Sequence, residues 1–158
     1  MIFYLTAVGR VKNAALRDAC EDYENRTRRY VKLEVREVRD GGRTDRDADS
    51  ARRKEADALL RAIPRGARVI ALTRTGMSLS SVGLAEILGQ WKREDRDVAF
   101  VLGGAHGLDG TVLAAADSQL SLSTMTLPHE LARLTLLEQL YRGCTILKGE
   151  PYHKGEDR

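Results

Sequence analysis

Short apolar runs alternate along this chain with longer segments whose apolar residues fall three and four apart, and few folds accept that rhythm. Ile2–Val8 is the first run, closed by Gly9 as a strand buried on both faces would be. From Val11 to Tyr30, the positions Leu16, Cys20, Tyr23, Thr27 and Tyr30 trace one face of an amphipathic helix. Leu33 to Val38 alternates with charges and reads as a half-exposed strand. A polar loop opens at Gly41-Gly42 and runs to about Asp47, and a helix over Ala48 to Ile63 stops at Pro64 and Gly66. Arg68–Leu72 is a strand, and Ser80 caps a helix from Ser81 to about Arg93. Asp97–Leu102 is a further buried strand, followed by a short helix over Thr111–Ala116 and a brief strand at Leu120–Ser121. A long helix from His129 to Thr145 closes the series. The fold class expected is α/β, a mostly parallel sheet with helices on both faces.

At 158 residues, 42% of them hydrophobic, residues 1–158 read as a single domain that can bury a core without disulfides or a structural metal. Cys20 and Cys144 stand alone, outside any ligand spacing, so no metal site is expected and the thiols read as reduced. Ile2–Val8 is too short for a membrane span or a signal-peptide core, which points to the cytoplasm and away from a membrane partner. The net charge of +3 is unevenly spread. Residues 1–70 carry 17 Lys and Arg against 12 Asp and Glu, and the remainder carries 9 against 11. The basic residues cluster at Arg26, Arg28 and Arg29, at Arg36, Arg39, Arg43 and Arg46, and at Arg52, Arg53 and Lys54. Interleaved acids allow solvated helix faces laced with ion pairs, and the arginines equally allow a footprint for phosphates.

In open α/β sheets, ligands bind beyond the carboxyl ends of the strands. Three loops are therefore of interest, those after Leu72, Leu102 and Ser121. The second reads Gly103-Gly104-Ala105-His106-Gly107, which is neither a dinucleotide fingerprint nor a P-loop. Its paired glycines permit close approach of a ligand to the backbone, although such a turn is often only a tight connection, and His106 reads as a loop residue. The third, Leu122-Ser123-Thr124-Met125-Thr126-Leu127-Pro128, is too polar for a core strand and short of charge for an ordinary surface loop. In the helix beyond it, Leu131, Leu134, Leu136, Leu137, Leu140, Tyr141 and Cys144 spread over more than one face. That width fits either a central core helix or, with few layers available, a helix shared between the sheet and a partner subunit.

Taken together, FVLGGAHGL (100–108), LSTMTLPHELAR (122–133), Tyr141-Arg142 and the tail GEPYHK (149–154) resemble the ribosomal RNA large subunit methyltransferase H family. The segments AVGRVKN, YENRTRRY and ADSARRKEADALLRAIPRGARVIAL extend the resemblance over essentially the whole chain. It implies a SPOUT fold with a C-terminal trefoil knot, S-adenosylmethionine as cofactor, and a homodimer acting on the ribosome. The implied reaction is methylation of N3 of a pseudouridine in 23S rRNA. The cofactor loops it implies are Leu72, Gly103 with Gly104, and Leu122, Ser123, Thr124, Met125, Thr126 and Leu127. One departure is visible. Where many relatives carry an LDExG pattern, this chain reads Leu72-Thr73-Arg74-Thr75-Gly76, without the acids.

Four residues are candidates for the chemistry. His129 stands at the start of the last helix, as a backbone-bonded histidine or as a catalytic one. Arg142 either orients substrate or pairs with Glu138 at i,i−4. Tyr152 and His153 lie on a tail whose default is a frayed end, but which a dimer could fold over the partner's pocket to stack a base and accept a proton. Two other classes compete: a non-catalytic RNA-binding domain, and an enzyme for another nucleotide. The glycine turn disfavours the first, and the lack of a P-loop disfavours the second.

Overall fold

A computed structural model describes residues 1–41 and 48–154. The loop from Gly42 to Asp47, with Arg43 and Arg46, lies outside the described residues. Five strands, β1 (Ile2–Val8), β2 (Lys32–Val38), β3 (Arg68–Ser78), β4 (Val98–Leu102) and β5 (Ser118–Ser121), form one sheet in the order β2-β1-β4-β3-β5. Every pairing is parallel. Five helices accompany them: α1 (Ala14–Thr27), α2 (Ala48–Ala62), α3 (Ser81–Glu94), α4 (Gly110–Ala115) and α5 (His129–Leu147).

The strand alternation sorts the core into two faces. Phe3, Leu5, Ala7, Val98, Phe100 and Leu102 pack with α1, α3 and α5, and Phe3 meets Phe100 edge-on at 5.6 Å. Val8, Val69 and Val101 pack on the opposite face with Ala56 and Leu59 of α2 and Val112 of α4. Helices therefore cover both sides, as the rhythm of the sequence predicts.

Three boundaries differ from the sequence reading. Helix α1 is shorter, because Asn13 caps it by accepting from the Leu16 N–H at 3.1 Å and Arg28 ends it. Strand β3 runs on to Ser78 instead of ending at Leu72, because after a register shift between Leu72 and Met77 it pairs again with β5. Gly76 permits this, since a Cβ there would lie 2.7 Å from the backbone of Gln119 and Leu120. The tail is not frayed through His153; it docks on α1 and α5, as described below.

Helix α5 runs between α1 and α3. Its Leu136, Leu137 and Leu140 are fully buried within the chain, each worth about 1.5–3 kcal/mol. Gly143 lets α3 approach, for a Cβ there would stand 2.7 Å from Leu88 Cδ1. Much of the apolar width of α5 is thus covered by the chain's own helices, and Leu131 and Leu147 remain exposed on it.

Candidate active site

Strands β4, β3 and β5 are neighbours and parallel, so the three loops singled out in the sequence leave the sheet side by side. They enclose a cleft of about 820 Å³, within the range of small-molecule sites. Leu72 to Thr75, Leu102 to Leu108, Leu122, Ser123, Met125 to His129 and Ala132 line it; Thr124 does not.

The glycine turn is held by its own backbone. The Gly107 N–H donates to Gly104 O at 3.1 Å, and Gly107 has φ +76°. A Cβ on Gly103 would come within 2.6 Å of Gly107 C and 2.7 Å of its oxygen. The turn itself therefore demands glycine at 103, whatever ligand approaches, as a tight connection would. His106, taken for a plain loop residue, lines the cleft with its Nε2 buried and without a hydrogen-bond partner.

The loop after β5 is tied down by small hydroxyls. Ser121 Oγ donates to a backbone oxygen of Arg74 or Ser123, at 3.2 and 3.0 Å, and the Met125 N–H donates to Ser123 Oγ at 3.0 Å. Arg74 crosses from β3 to donate to Thr126 Oγ1 at 3.2 Å. Met125 is 74% exposed, an apolar wall without a cover. At the base of the cleft, α5 begins with His129. Its neighbour Glu130 accepts from the backbone N–H groups of Lys12 (2.9 Å) and Asn13 (3.3 Å), which hold its carboxyl below the usual range and lock the start of α5 to that of α1.

Arg133, one turn further, was missed by the sequence reading. It is buried and pairs with Glu37 at 2.7 Å and Glu24 at 3.8 Å. An arginine four residues after His129 among leucines is the signal that could have found it.

Arg142, Tyr152 and His153 assemble elsewhere. Arg142 Nε donates to Glu138 at 3.0 Å, the i,i−4 pair foreseen, and its Nη1 lies 3.3 Å from His153 Nδ1. The Tyr152 ring packs edge-on against Tyr141 at 4.7 Å, with the Arg142 guanidinium 4.7 Å from its centroid. Its hydroxyl reaches Tyr23 and Glu138, each at 3.1 Å. Burial first, then these two partners, push the phenol well above its usual pKa, so at neutral pH Tyr152 is a donor and not a base. Thirteen residues of helix separate Arg142 from His129, roughly 20 Å along the axis. Within one chain this cluster does not reach the cleft.

Four of the clustered arginines are paired. Arg26 meets Asp22 at 2.7 Å, Arg28 meets Glu24 at 3.1 Å, Arg36 meets Glu34 at 3.4 Å, and Arg52 meets Asp49. Arg53 and Lys54 are exposed. Among the described residues no group of three or more His, Cys, Asp or Glu is placed to hold a metal, and no helix is long and apolar enough to cross a membrane.

A family model described as "Predicted SPOUT methyltransferase" matches residues 1–153. The chain belongs to the SPOUT methyltransferase family. Among its relatives are proteins named "Ribosomal RNA large subunit methyltransferase H". That of Gemmatimonas aurantiaca is 44% identical over 95% of this chain and 97% of the relative. That of Anaeromyxobacter sp. is 48% identical over the same shares, and that of Burkholderia vietnamiensis 39% identical over 98% and 99%. A solved structure, a probable methylase family protein from Haemophilus influenzae Rd KW20, matches with a TM-score of 0.60 at 12% identity. It covers 97% of this chain and 70% of the other, a likeness of fold. In this SPOUT chain the sheet order β2-β1-β4-β3-β5 thus brings the three loops to one cleft and leaves the C-terminal cluster at the far end of α5.

Proposed function

We propose that this SPOUT methyltransferase moves a methyl group from S-adenosylmethionine to N3 of a pseudouridine in 23S rRNA, as a cytoplasmic homodimer working on the ribosome. The observation that carries this reading is the convergence of Leu72, the Gly103–Gly107 turn and the Leu122–Leu127 loop on one cleft. The names of the relatives support large-subunit ribosomal RNA as the substrate class, and the pseudouridine N3 follows from the family resemblance. On this reading residues 1–158 act as one domain whose C-terminal segment follows a trefoil-knotted path.

The residues present suit the cofactor. The cleft has the volume for a nucleoside joined to an amino acid, and its backbone-rich glycine turn suits an adenine edge. When bound, the cofactor supplies an activated methyl group. Leu72, Leu122, Met125 and Leu127 would wall the site against water, which strengthens every electrostatic contact inside it. His129 is placed at the cleft to accept or direct the imide proton.

Arg142, Tyr152 and His153 serve this site from a second copy of the chain, whose docked tail presents the phenol and imidazole to the target base. Light scattering should give twice the 17.6 kDa chain mass at micromolar concentration; a monomer mass would refute the shared site. The decisive test is methylation of ribosomes from a strain lacking the enzyme, with mass-spectrometric mapping of the product. A methyl mark on any residue other than a 23S pseudouridine would reject the reading.

A further inference from the structure

A methyl donor of the sulfonium class is a cation at sulfur, and its spent thioether is neutral there. The lining of the cleft is unfavourable for that cation. Its ionisable residues are Arg74, His106 and His129, and no carboxylate lines it among the described residues.

One carboxylate lies directly behind the lining. Glu55 of α2 is buried to 3% exposure. Its Oε1 accepts from the Gly41 N–H at 2.9 Å, while its Oε2 is buried without a hydrogen-bond partner. Both oxygens pack against Gly104, where an added Cβ would stand 3.1 Å from each of them. Gly104 itself lines the cleft. Gly104 therefore stands between the ligand space and an acceptor that has no hydrogen-bond partner among the described residues. A buried carboxylate left half-satisfied is costly, so it calls for a compensating positive charge. Among the described basic residues nearest it in sequence none supplies one: Arg52 is engaged with Asp49, and Arg53 and Lys54 are exposed.

We propose that Glu55, acting through Gly104 and opposed by Arg74, is the residue that makes the cleft prefer the cationic methyl donor to its neutral product. The inference rests on the methyl-donor reading above and adds a determinant of charge selectivity to it. Once the methyl group has left, the attraction to Glu55 disappears while the repulsion of Arg74 no longer matters. Spent cofactor is then exchanged for fresh.

Calorimetry of S-adenosylmethionine and S-adenosylhomocysteine with the full chain tests this, because the two ligands differ only by the charged methyl group. A unit charge at about 7 Å with an effective dielectric of about 40 corresponds to a five- to tenfold effect on affinity. Glu55→Gln should raise the ratio of donor Kd to product Kd by that factor, with product Kd within about twofold of the parent, and Glu55→Asp should restore part of the ratio. Arg74→Gln, on an exposed side chain outside the core, should move the ratio in the opposite direction. Equal weakening of both ligands by Glu55→Gln would mean a structural clamp on Gly41 and would overturn the proposal. So would an Arg74→Gln ratio identical to the parent's, whether or not the Glu55 variants fold. If the parent chain bound neither ligand, the methyl-donor reading itself would fail.

Discussion

Replacing Tyr152 separates the docking of the tail from the stability of the fold. Tyr152→Ala removes two hydroxyl hydrogen bonds, to Tyr23 and Glu138, together with the edge-on contact to Tyr141 and the Arg142 stacking. At about 1 kcal/mol for the hydrogen bonds net, about 1 for the aromatic pair and about 0.5–1 for the cation–π contact, docking should weaken by about 3 kcal/mol. That is about a hundredfold in the undocked population. Tyr30 and Glu150 still hold the start of the tail, so the loss is confined to its end. Because the tail opens as a local unit, the global melting temperature should change by only a degree or two. Trypsin cleavage after Lys154, and amide exchange beyond Glu150, should accelerate by up to the same hundredfold. Tyr152→Phe keeps the ring and should show about a tenth of the effect. The saturated methylation rate should fall in Tyr152→Ala. Unchanged cleavage kinetics in Tyr152→Ala would refute the docking argument, and an unchanged saturated rate would return the catalytic assignment to His129.

Gly103→Ala should lower stability by about 1–3 kcal/mol and weaken S-adenosylhomocysteine binding, since its Cβ meets backbone on the far side of the turn; parental affinity measured by calorimetry would remove the turn from the pocket. Arg53→Gln with Lys54→Gln should weaken ribosome binding and flatten its salt dependence by about 0.7 per lost single-strand phosphate contact, with the single-turnover rate at saturation little changed. Full affinity and slope would leave these side chains as solvated surface. Glu130→Gln should destabilise the protein by about 1 kcal/mol at pH 7, a modest figure because the group is partly exposed. Since its folded carboxyl titrates below the unfolded one, that contribution is complete above the ordinary carboxylate range and is lost as the pH falls through the lowered folded value, so denaturation curves of parent and variant should converge in acid. Burial raises both thiols to about 11, and Cys20 and Cys144 should stay inert to a thiol reagent at pH 8 until the protein unfolds.

The strands and helices were legible where local pattern and burial agree, as in β1, β4 and α3 with its Ser80 cap. The second half of β3 was not, because Thr73-Arg74-Thr75-Gly76 has the composition of a turn and becomes strand only by pairing with β5 across a register shift. The docked tail was hidden for a similar reason: its partners Tyr23 and Glu138 are 129 and 14 residues away. The three cleft loops could be read because a parallel sheet sends them all to one end. His106 and Glu55 could not, for their unmet hydrogen-bonding capacity exists only once the turn has folded over α2. Arg142 with Glu138 was foreseen from spacing alone.

Because every strand of the sheet points the same way, the exit of β2 at Val38-Arg39 opens on the same rim as the cleft at the ends of β3, β4 and β5. Three strand spacings separate β2 from β3, about 14 Å. That rim is a ruler. A phosphate held at the exposed Arg39 would stand about four stacked nucleotides, at about 3.4 Å each, from a base offered to the cleft. The width of the sheet, fixed by backbone hydrogen bonds and indifferent to surface substitution, would then set how far from its target a strand gripped at this rim is held.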